Sequence, residues 1–241
     1  MTDSISFLPW DSSFFNLKTG RIDLFDATSI YRLLGTAFQD GYQLLYLFSD
    51  APLKDVDQDF FTVQDVGGRV DYLLKPTLHG GIPTEHIHGI KEYFGSISAE
   101  VLNLAYLSGS QSRFKVDTQL PQNSFNRLYA TWIQQELGNK ANHSVYTYCV
   151  NNTIVGMLTA KWSSKECTIS LLSVHPKYHG QGIASALIYH LFSICHAKHC
   201  QIIRVSTQFS NIAACRLYEK CGFNVLAISH VYHLHQNQSR Q

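Results

Sequence analysis

The chain of 241 residues allows one large domain or two modest ones, and this length excludes a larger multidomain assembly. Hydrophobic residues make up 45% of the chain and charged residues only 15%, so most of it is expected to fold around a core. The 19 Lys and Arg residues balance the 18 Asp and Glu residues. Because no strong electrostatic field results, neither nucleic acid nor an anionic membrane is an expected partner.

The N-terminal segment does not predict a secretory signal. The first 16 residues include Asp3 and Asp11, and they have neither a basic start nor a sustained apolar run. No later stretch reaches the roughly 20 apolar residues of a membrane span. The six cysteines show no CxxC spacing, which favours reduced thiols and a cytoplasmic protein.

Two groups of histidines raise the question of a metal site. These groups are His79, His86 and His88, and His230, His233 and His235. The second group alternates as residues along one face of a strand do, and neither group has a zinc-binding spacing. The sequence therefore predicts no metal.

The N-terminal region alternates between strand and helix patterns. Residues 20–25 and 43–48 predict strands, and the segment between them predicts a helix because apolar residues recur there at helical spacing: Ile30, Leu33, Leu34, Ala37 and Phe38. Two further strands are predicted at 60–66 and 69–74. The Gly67-Gly68 pair between them is typical of a hairpin turn.

A loop and a domain boundary are predicted next. Residues 77–89 contain Gly, Pro and His and predict a loop, and a polar stretch at 108–112 marks a shift in composition. We therefore expect an N-terminal α/β part at 1–110 and a second domain at 111–241.

The second region has a clearer pattern of elements. It predicts a helix at 125–137, strands at 144–150, 153–162 and 167–174, a helix at 184–195, a strand at 202–207, a helix at 212–221 and a final strand region at 223–235. The Asn151-Asn152 pair predicts a hairpin between the first two of these strands.

The turn between the third of these strands and the next helix contains two closely spaced glycines, Gly180 and Gly182. Backbone N–H groups at a helix start are unpaired and the helix dipole is positive there, so such a turn suits a phosphate group. Glycines allow a phosphate to approach the main chain closely, and the small Ala184 favours the same approach. A plain tight turn is the alternative interpretation of the same residues.

Two longer motifs carry a resemblance to a known family. The first is Val174-x-Pro176-x-Tyr178-x-Gly180-x-Gly182-Ile183-Ala184, and the second is Asn211-x-x-Ala214-x-x-Leu217-Tyr218-x-x-x-Gly222-Phe223. Together they resemble the signature motifs of the GNAT superfamily of acyl-CoA N-acyltransferases, over roughly residues 112–235. One departure is His179, since the family usually has Gln or Arg at that position.

The resemblance implies a fold and a co-substrate. The implied fold is an α/β (α+β) structure, with a mixed, mostly antiparallel, splayed sheet flanked by helices. The implied co-substrate is acetyl-CoA, with its pyrophosphate on the backbone of His179, Gly180, Gln181, Gly182, Ile183 and Ala184. Free main-chain groups around Leu172, Ser173 and Val174 would bind the pantetheine arm and the acetyl carbonyl. An ordinary core strand is the alternative interpretation for those three residues.

Three residues of the second motif acquire roles from the resemblance. Tyr218 is the implied general acid that protonates the departing thiolate, and its alternative interpretation is a buried aromatic residue. Asn211 would hydrogen-bond the coenzyme, or it would cap the helix that it precedes. Arg216 would lie near the coenzyme phosphates, or it would be a solvated charge on the helix.

A narrower resemblance concerns the acceptor. Three segments are similar to the TDP-fucosamine N-acetyltransferase family: Leu8-Pro9-Trp10-Asp11-Ser12-Ser13-Phe14-Phe15, Ser112-Arg113-Phe114-x-x-Asp117 and Ser206-Thr207-Gln208-x-x-Asn211-x-x-Ala214-x-Arg216-Leu217-Tyr218. This resemblance implies a nucleotide-linked aminosugar as substrate, and the family resemblance implies a homodimer. Trp10, Phe14 and Phe15 are expected in the core, with stacking on a thymine ring as the alternative.

Other interpretations stay open at this point. The chain could acetylate another amine, such as a protein N-terminus or a polyamine, or it could bind acyl-CoA without catalysis. The base that deprotonates the amine is not identified by the sequence, because several residues could serve: His175, His179, Glu166 and Asp117.

Overall fold

A computed structural model describes residues 4–53, 59–76 and 89–237. Within these residues, ten strands form one sheet in the order β1-β2-β3-β10-β4-β9-β8-β7-β6-β5. The strands are β1 (Ile5–Phe7), β2 (Thr19–Leu24), β3 (Leu44–Ser49), β4 (Phe61–Leu74), β5 (Ile90–Glu92), β6 (His143–Val150), β7 (Thr153–Ser163), β8 (Glu166–Val174), β9 (Ile202–Gln208) and β10 (Asn224–Gln236). The helices are α1 (Pro9–Phe15), α2 (Ile30–Gln39), α3 (Ala99–Ser108), α4 (Arg113–Val116), α5 (Ser124–Gly138), α6 (Ile183–Ala197) and α7 (Ile212–Lys220).

The sheet is mixed and mostly antiparallel, which confirms the predicted fold class. Only the pairs β2 with β3 and β8 with β9 are parallel. The predicted strands and helices of residues 111–241 all form close to their expected bounds, and so do β2, α2 and β3. These predictions succeed because each element buries the face that its apolar spacing defines, as α2 buries Ile30, Leu33, Leu34 and Ala37.

The predicted hairpin at Gly67-Gly68 is wrong, because β4 runs straight through both glycines as one strand. Gly67 has a φ of +99° and its N–H donates to Asp65 Oδ1 at 2.8 Å. The register against β10 shifts at this point, so the glycine forms a β-bulge rather than a turn. Since β4 has a strand partner on each side, the chain gains more hydrogen bonds by continuing than by turning back.

Several short elements had no sequence signal. Strands β1 and β5 have three residues each, and α3 is apolar on most of its surface, so its pattern lacks a clear period. The predicted loop at 77–89 and the histidines at 79, 86 and 88 lie outside the described residues, except for Gly89.

The helices cover both faces of the β6–β8 region. Successive β7 residues point in opposite directions: Met157 packs with α3 and α5, whereas Leu158 packs with α6. No helix in the described ranges is long and apolar enough to cross a membrane. All six cysteines are free thiols.

The sheet does not break at the expected boundary between residues 110 and 111. Strand β4 belongs to the first part, yet it lies between β9 and β10, which belong to the second. The division into 1–110 and 111–241 stays a prediction, and the sheet crosses it.

We predict that Gly109→Ala destabilises the fold. A Cβ at Gly109, directly after α3, would lie 2.0 Å from Cζ of the buried Tyr129 ring on α5. The ring has to move within a packed core, and such overpacking costs about 1–3 kcal/mol. Chemical denaturation of the full chain measures the free energy of unfolding.

The matched control is Gly35→Ala in the interior of α2, where a Cβ would meet nothing within 4 Å. This control should stabilise the protein by roughly 0.5–1 kcal/mol, because alanine has the higher helix propensity. Equal effects of the two substitutions would contradict the predicted steric contact.

Candidate active site

The centre of the sheet opens where β8 and β9 diverge. The two strands pair in parallel only from Glu166 with Ile202 to Ile169 with Val205. Beyond that point β8 stays paired with β7, and β9 stays paired with β4. Ser170 has no residue opposite it in β7, so a bulge bends β8 where the separation begins. The strands therefore splay apart, as predicted.

A cleft of about 330 Å³ occupies this separation. Both parts of the chain line it. The first part contributes Phe48, Val66, Gly68, Arg69 and Ser108, and the second contributes Arg113, Phe114, Tyr129, Trp132, Ser170, Leu172, Ser206, Gln208, Asn211, Tyr218 and Val231, among others.

The glycine turn after β8 leads into α6. Gly180 and Gly182 have φ values of +77° and +78°, a conformation that favours glycine. Gly182 precedes the first residue of α6 and makes no side-chain cap, while Gly180, Gln181 and Gly182 are all exposed. The N–H groups at this helix start are thus open to solvent. The buried Ile183 anchors the turn against Gly156 of β7.

The end of β8 is only partly available to a ligand. The Nε2–H of His179 donates to the Val174 carbonyl at 2.8 Å. The resemblance implied that this carbonyl is free, but in the structure it is occupied. The Ser173 hydroxyl donates to the Leu104 carbonyl of α3 at 2.7 Å. Of the three residues singled out in this strand, Leu172 alone lines the cleft.

Helix α7 brings Asn211 and Tyr218 to the cleft. The Asn211 side chain caps the helix by accepting from the Ala214 N–H at 3.2 Å, as the sequence indicated. Tyr218 is 5% exposed, packs against Tyr72 and Phe223, and also borders the cleft. Burial raises the pKa of its phenol, so the hydroxyl keeps its proton at neutral pH. Arg216 is exposed and does not border the cleft.

The residues considered as a base do not reach the cleft. Glu166 pairs with Arg204 at 3.2 Å at the far end of β8, and His175 accepts a bond from the Lys177 N–H. His179 is engaged as described, and Asp117 is buried beside two histidines. Among the described residues, no carboxylate and no imidazole lines the cleft.

The buried cluster consists of Asp117, His233 and His235. Asp117 Oδ2 lies 2.5 Å from His233 Nδ1 and 2.9 Å from His235 Nε2, and the three potential ligand atoms lie within 4.8 Å of one another. Burial alone would raise the Asp117 pKa, but the hydrogen bonds from both imidazoles hold it well below its ordinary range. Burial lowers the pKa of His233 to about 4. Both imidazoles thus donate to the same carboxylate oxygen, and His230 lies outside the cluster.

The sequence assigned no role to three further residues that line the cleft, Arg69, Arg113 and Phe114. Arg113 and Phe114 stood in a quoted motif without a role, and Arg69 had no signal beyond its strand. Of the aromatic residues near the N-terminus, Phe15 is buried as expected, whereas Trp10 is 44% exposed and stacks on Phe14. The core expectation is therefore wrong for Trp10.

The chain is similar to several known proteins. Residues 112–223 match the acetyltransferase (GNAT) family. The chain is 25% identical over 235 residues to the spore coat polysaccharide biosynthesis protein SpsD of Bacillus subtilis (strain 168), across 93% of this chain and 80% of SpsD. It is also 30% identical over 93 residues to an acetyltransferase of Yersinia pestis (strain Pestoides F), across 37% of this chain and 66% of that protein.

Solved structures show a similar fold. A functionally unknown conserved protein of Staphylococcus epidermidis ATCC 12228 has a TM-score of 0.61 at 13% identity, across 98% of this chain and 91% of that one. A tandem GNAT protein from the clavulanic acid biosynthesis pathway has a TM-score of 0.55 at 13% identity, across 92% of this chain and 76% of that one. At such low identities the likeness concerns the fold alone.

Proposed function

Residues 112–223 are an acetyltransferase domain of the GNAT family and the chain is an acyltransferase, and from this premise we propose its two substrates. The enzyme transfers an acetyl group from acetyl-CoA to the amine of a nucleotide-linked amino-deoxysugar, of the dTDP-4-amino-4,6-dideoxyhexose type. Transfer is direct, within a ternary complex. The observation that carries this proposal is the likeness to SpsD, a polysaccharide biosynthesis protein, along 93% of the chain.

The coenzyme half of the site is the turn after β8. We propose that the pyrophosphate rests on the backbone from His179 through Gly180, Gln181, Gly182 and Ile183 to Ala184. The exposed N–H groups and the positive end of the 15-residue α6 support this placement. The pantetheine arm then follows β8 toward the main chain of Leu172. Asn211 and Arg216 are proposed as further coenzyme contacts from α7.

The chemistry requires alignment more than activation, because a thioester is already reactive. The amine nitrogen attacks the acetyl carbonyl carbon, the C–S bond then breaks, and the thiolate takes a proton. The splayed β8 backbone is suited to hold the carbonyl oxygen while negative charge develops on it. Tyr218 is the proposed proton donor, since its buried phenol stays protonated and borders the same cleft. Among the described residues no carboxylate or imidazole lines the cleft, and we propose that water accepts the proton that the amine loses.

The charge of the cleft favours an anionic acceptor. Two arginines line it, Arg69 and Arg113, and no carboxylate does among the residues described. A polyamine carries several positive charges and would be repelled by such a cleft. A nucleotide-linked sugar carries its negative charge on phosphate and presents a single amine.

A panel of amines tests the substrate. Release of free CoA from acetyl-CoA is followed with a nucleotide-linked aminosugar, the same sugar without its nucleotide, a peptide N-terminus and a polyamine. The nucleotide-linked sugar should have the highest kcat/KM. A higher value for the peptide or the polyamine would replace the proposal with that alternative.

We also propose that the enzyme is a cytoplasmic homodimer. Residues 224–229 of β10 extend beyond the end of its pairing with β3, and their side chains include the exposed Val225, Leu226 and Ile228, the second of which is 56% exposed. An apolar strand edge of this kind is suited to a second copy of the chain. Light scattering at micromolar concentration should give the mass of two chains, and a monomer mass would contradict the dimer.

We predict that Gly180→Asp abolishes coenzyme binding without unfolding the protein. The substitution places a carboxylate where the pyrophosphate is proposed to lie, so charge repulsion adds to the lost access. Calorimetric titration with CoA measures the dissociation constant. It should rise by more than about tenfold, which corresponds to roughly 1.4 kcal/mol.

Gly41→Asp is the matched control for this prediction. Gly41 has a φ of +73°, close to that of Gly180, and a Cβ would meet nothing within 4 Å at either position. The two substitutions should lower the free energy of unfolding by similar amounts. Only Gly180→Asp should raise the dissociation constant for CoA. Equal CoA affinity in the two folded variants would refute the placement of the pyrophosphate.

We predict that Tyr218→Phe slows turnover while coenzyme binding persists. The ring and its packing remain but the proton is lost, so kcat should fall by roughly a hundred- to ten-thousandfold with a nearly constant CoA dissociation constant. Steady-state kinetics with the nucleotide-linked aminosugar provide the measurement.

Tyr72→Phe is the control for Tyr218→Phe. The Tyr72 ring lies 5.6 Å from the Tyr218 ring, and its hydroxyl donates to Glu219 Oε1 at 3.0 Å instead of facing the cleft. This control should keep kcat within a few-fold of wild type. A Tyr218→Phe variant that keeps most of the wild-type kcat would end the general-acid assignment.

A further inference from the structure

Arg113 places a cation among aromatic rings on the acceptor side of the cleft. Its guanidinium carbon lies 4.2 Å from the centroid of the Tyr46 ring, 4.6 Å from that of Phe114 and 5.3 Å from that of Phe48. Such contacts stabilise a partly desolvated cation. Burial lowers the pKa of Arg113 to about 10, so the group is still charged at neutral pH.

No carboxylate within the described part of the chain lies within 4.0 Å of the Arg113 nitrogens. Asp11 acts on Arg113 only through its charge, and its carboxylate accepts a hydrogen bond from the Tyr46 hydroxyl at 3.2 Å. Arg69, the other arginine of the cleft, differs because it pairs with Asp71 at 2.7 Å and also donates to Ser206. Burying a cation without an ion-pair partner lowers the free energy of unfolding. Arg113 therefore has donors available for a ligand.

The backbone position of Arg113 is fixed through Asp117. It begins the four-residue α4, and Asp117 directly follows this helix, with its N–H bonded to the Arg113 carbonyl at 3.0 Å. The buried Asp117 carboxylate in turn accepts from His233 and His235 of β10. The backbone that carries the guanidinium is thus tied to the centre of the sheet.

We propose that Arg113 binds the phosphate groups of the acceptor substrate and is a specificity-determining residue for an organic diphosphate. This inference rests on the proposed function and names the group that recognises the anionic half of the acceptor. A guanidinium offers a planar fork of N–H donors that matches phosphate oxygens, and contacts with aromatic rings use none of these donors in a hydrogen bond. The coenzyme pyrophosphate is proposed to lie elsewhere, since none of residues 179–184 lines the cleft that Arg113 borders.

Thymidine diphosphate is a suitable probe for this second anion site. Its binding to the full chain is measured by calorimetry in the presence of saturating CoA, so that the glycine turn is already occupied. Wild type should bind it, and Arg113→Gln should weaken binding by about ten- to a hundredfold, the usual effect of losing charge-assisted hydrogen bonds. Arg113→Lys keeps the charge without the fork, so its loss should be intermediate.

Arg21→Gln is the matched control, because Arg21 also stacks on the Phe48 ring, at 4.1 Å, but it is paired with Asp23 at 2.6 Å and does not line the cleft. Its effect on the probe should stay within about threefold. If the Gln variant of Arg113 does not fold, the Lys variant decides the question by its own loss of affinity. Undiminished binding by the folded Arg113 variants, an equal loss in Arg21→Gln, or no binding to wild type would each overturn the inference.

Acetyl transfer to the nucleotide-linked aminosugar is measured in parallel to separate the two proposals. Diphosphate binding through Arg113 without any transfer would reject the aminosugar and keep the anion site. Transfer in wild type with no dependence of KM on Arg113 would keep the proposed function and reject the anion site.

Discussion

The divergence of β8 from β9 is the constraint on which the rest of the site depends. Each strand is held on its outer side, β8 by β7 and β9 by β4, so neither can close the separation without losing a ladder of hydrogen bonds. An unpaired edge inside a sheet is normally costly. Here the bulge at Ser170 bends β8 where the separation begins, and Ser170, Leu171 and Leu172 line the cleft that results.

The sequence singled out the residues that are proposed to bind the coenzyme, but not those that are proposed to bind the acceptor. The glycine turn, the capping Asn211 and the following Tyr218 are local features, because each depends on residues within one turn or one helix. The resemblance of the two motifs to a family could therefore locate them, whereas spacing alone left a plain tight turn, a helix cap and a buried aromatic residue as alternatives. The carbonyl of Val174 shows the limit of this approach, since the side chain of His179 occupies it and no spacing rule indicates such a bond.

The proposed acceptor half of the cleft depends on contacts between residues that are distant in the sequence. Arg113 lies on Tyr46 and Phe48 of β3, and Asp117 meets two histidines of β10 more than 100 residues later. The wrong hairpin at Gly67-Gly68 has the same origin. A glycine pair favours a turn in an isolated segment, but β4 has partners on both sides, and tertiary pairing overrides the local preference.

The insertion of β4 between β9 and β10 determines how two substrates can meet. Arg69 and Val66 reach the cleft from β4, while Ser206 and Gln208 reach it from β9, and these strands are fixed in register with Arg69 opposite Gln208. The side of the cleft formed by β4, where the acceptor is proposed to bind, thus belongs to the same sheet as β8, along which the coenzyme is proposed to bind. Transfer between bound substrates requires reacting atoms about 3–3.5 Å apart, and one rigid sheet holds both walls at a constant separation. A hinge between separate domains would have to restore that separation in every turnover, whereas strand register maintains it in the folded protein.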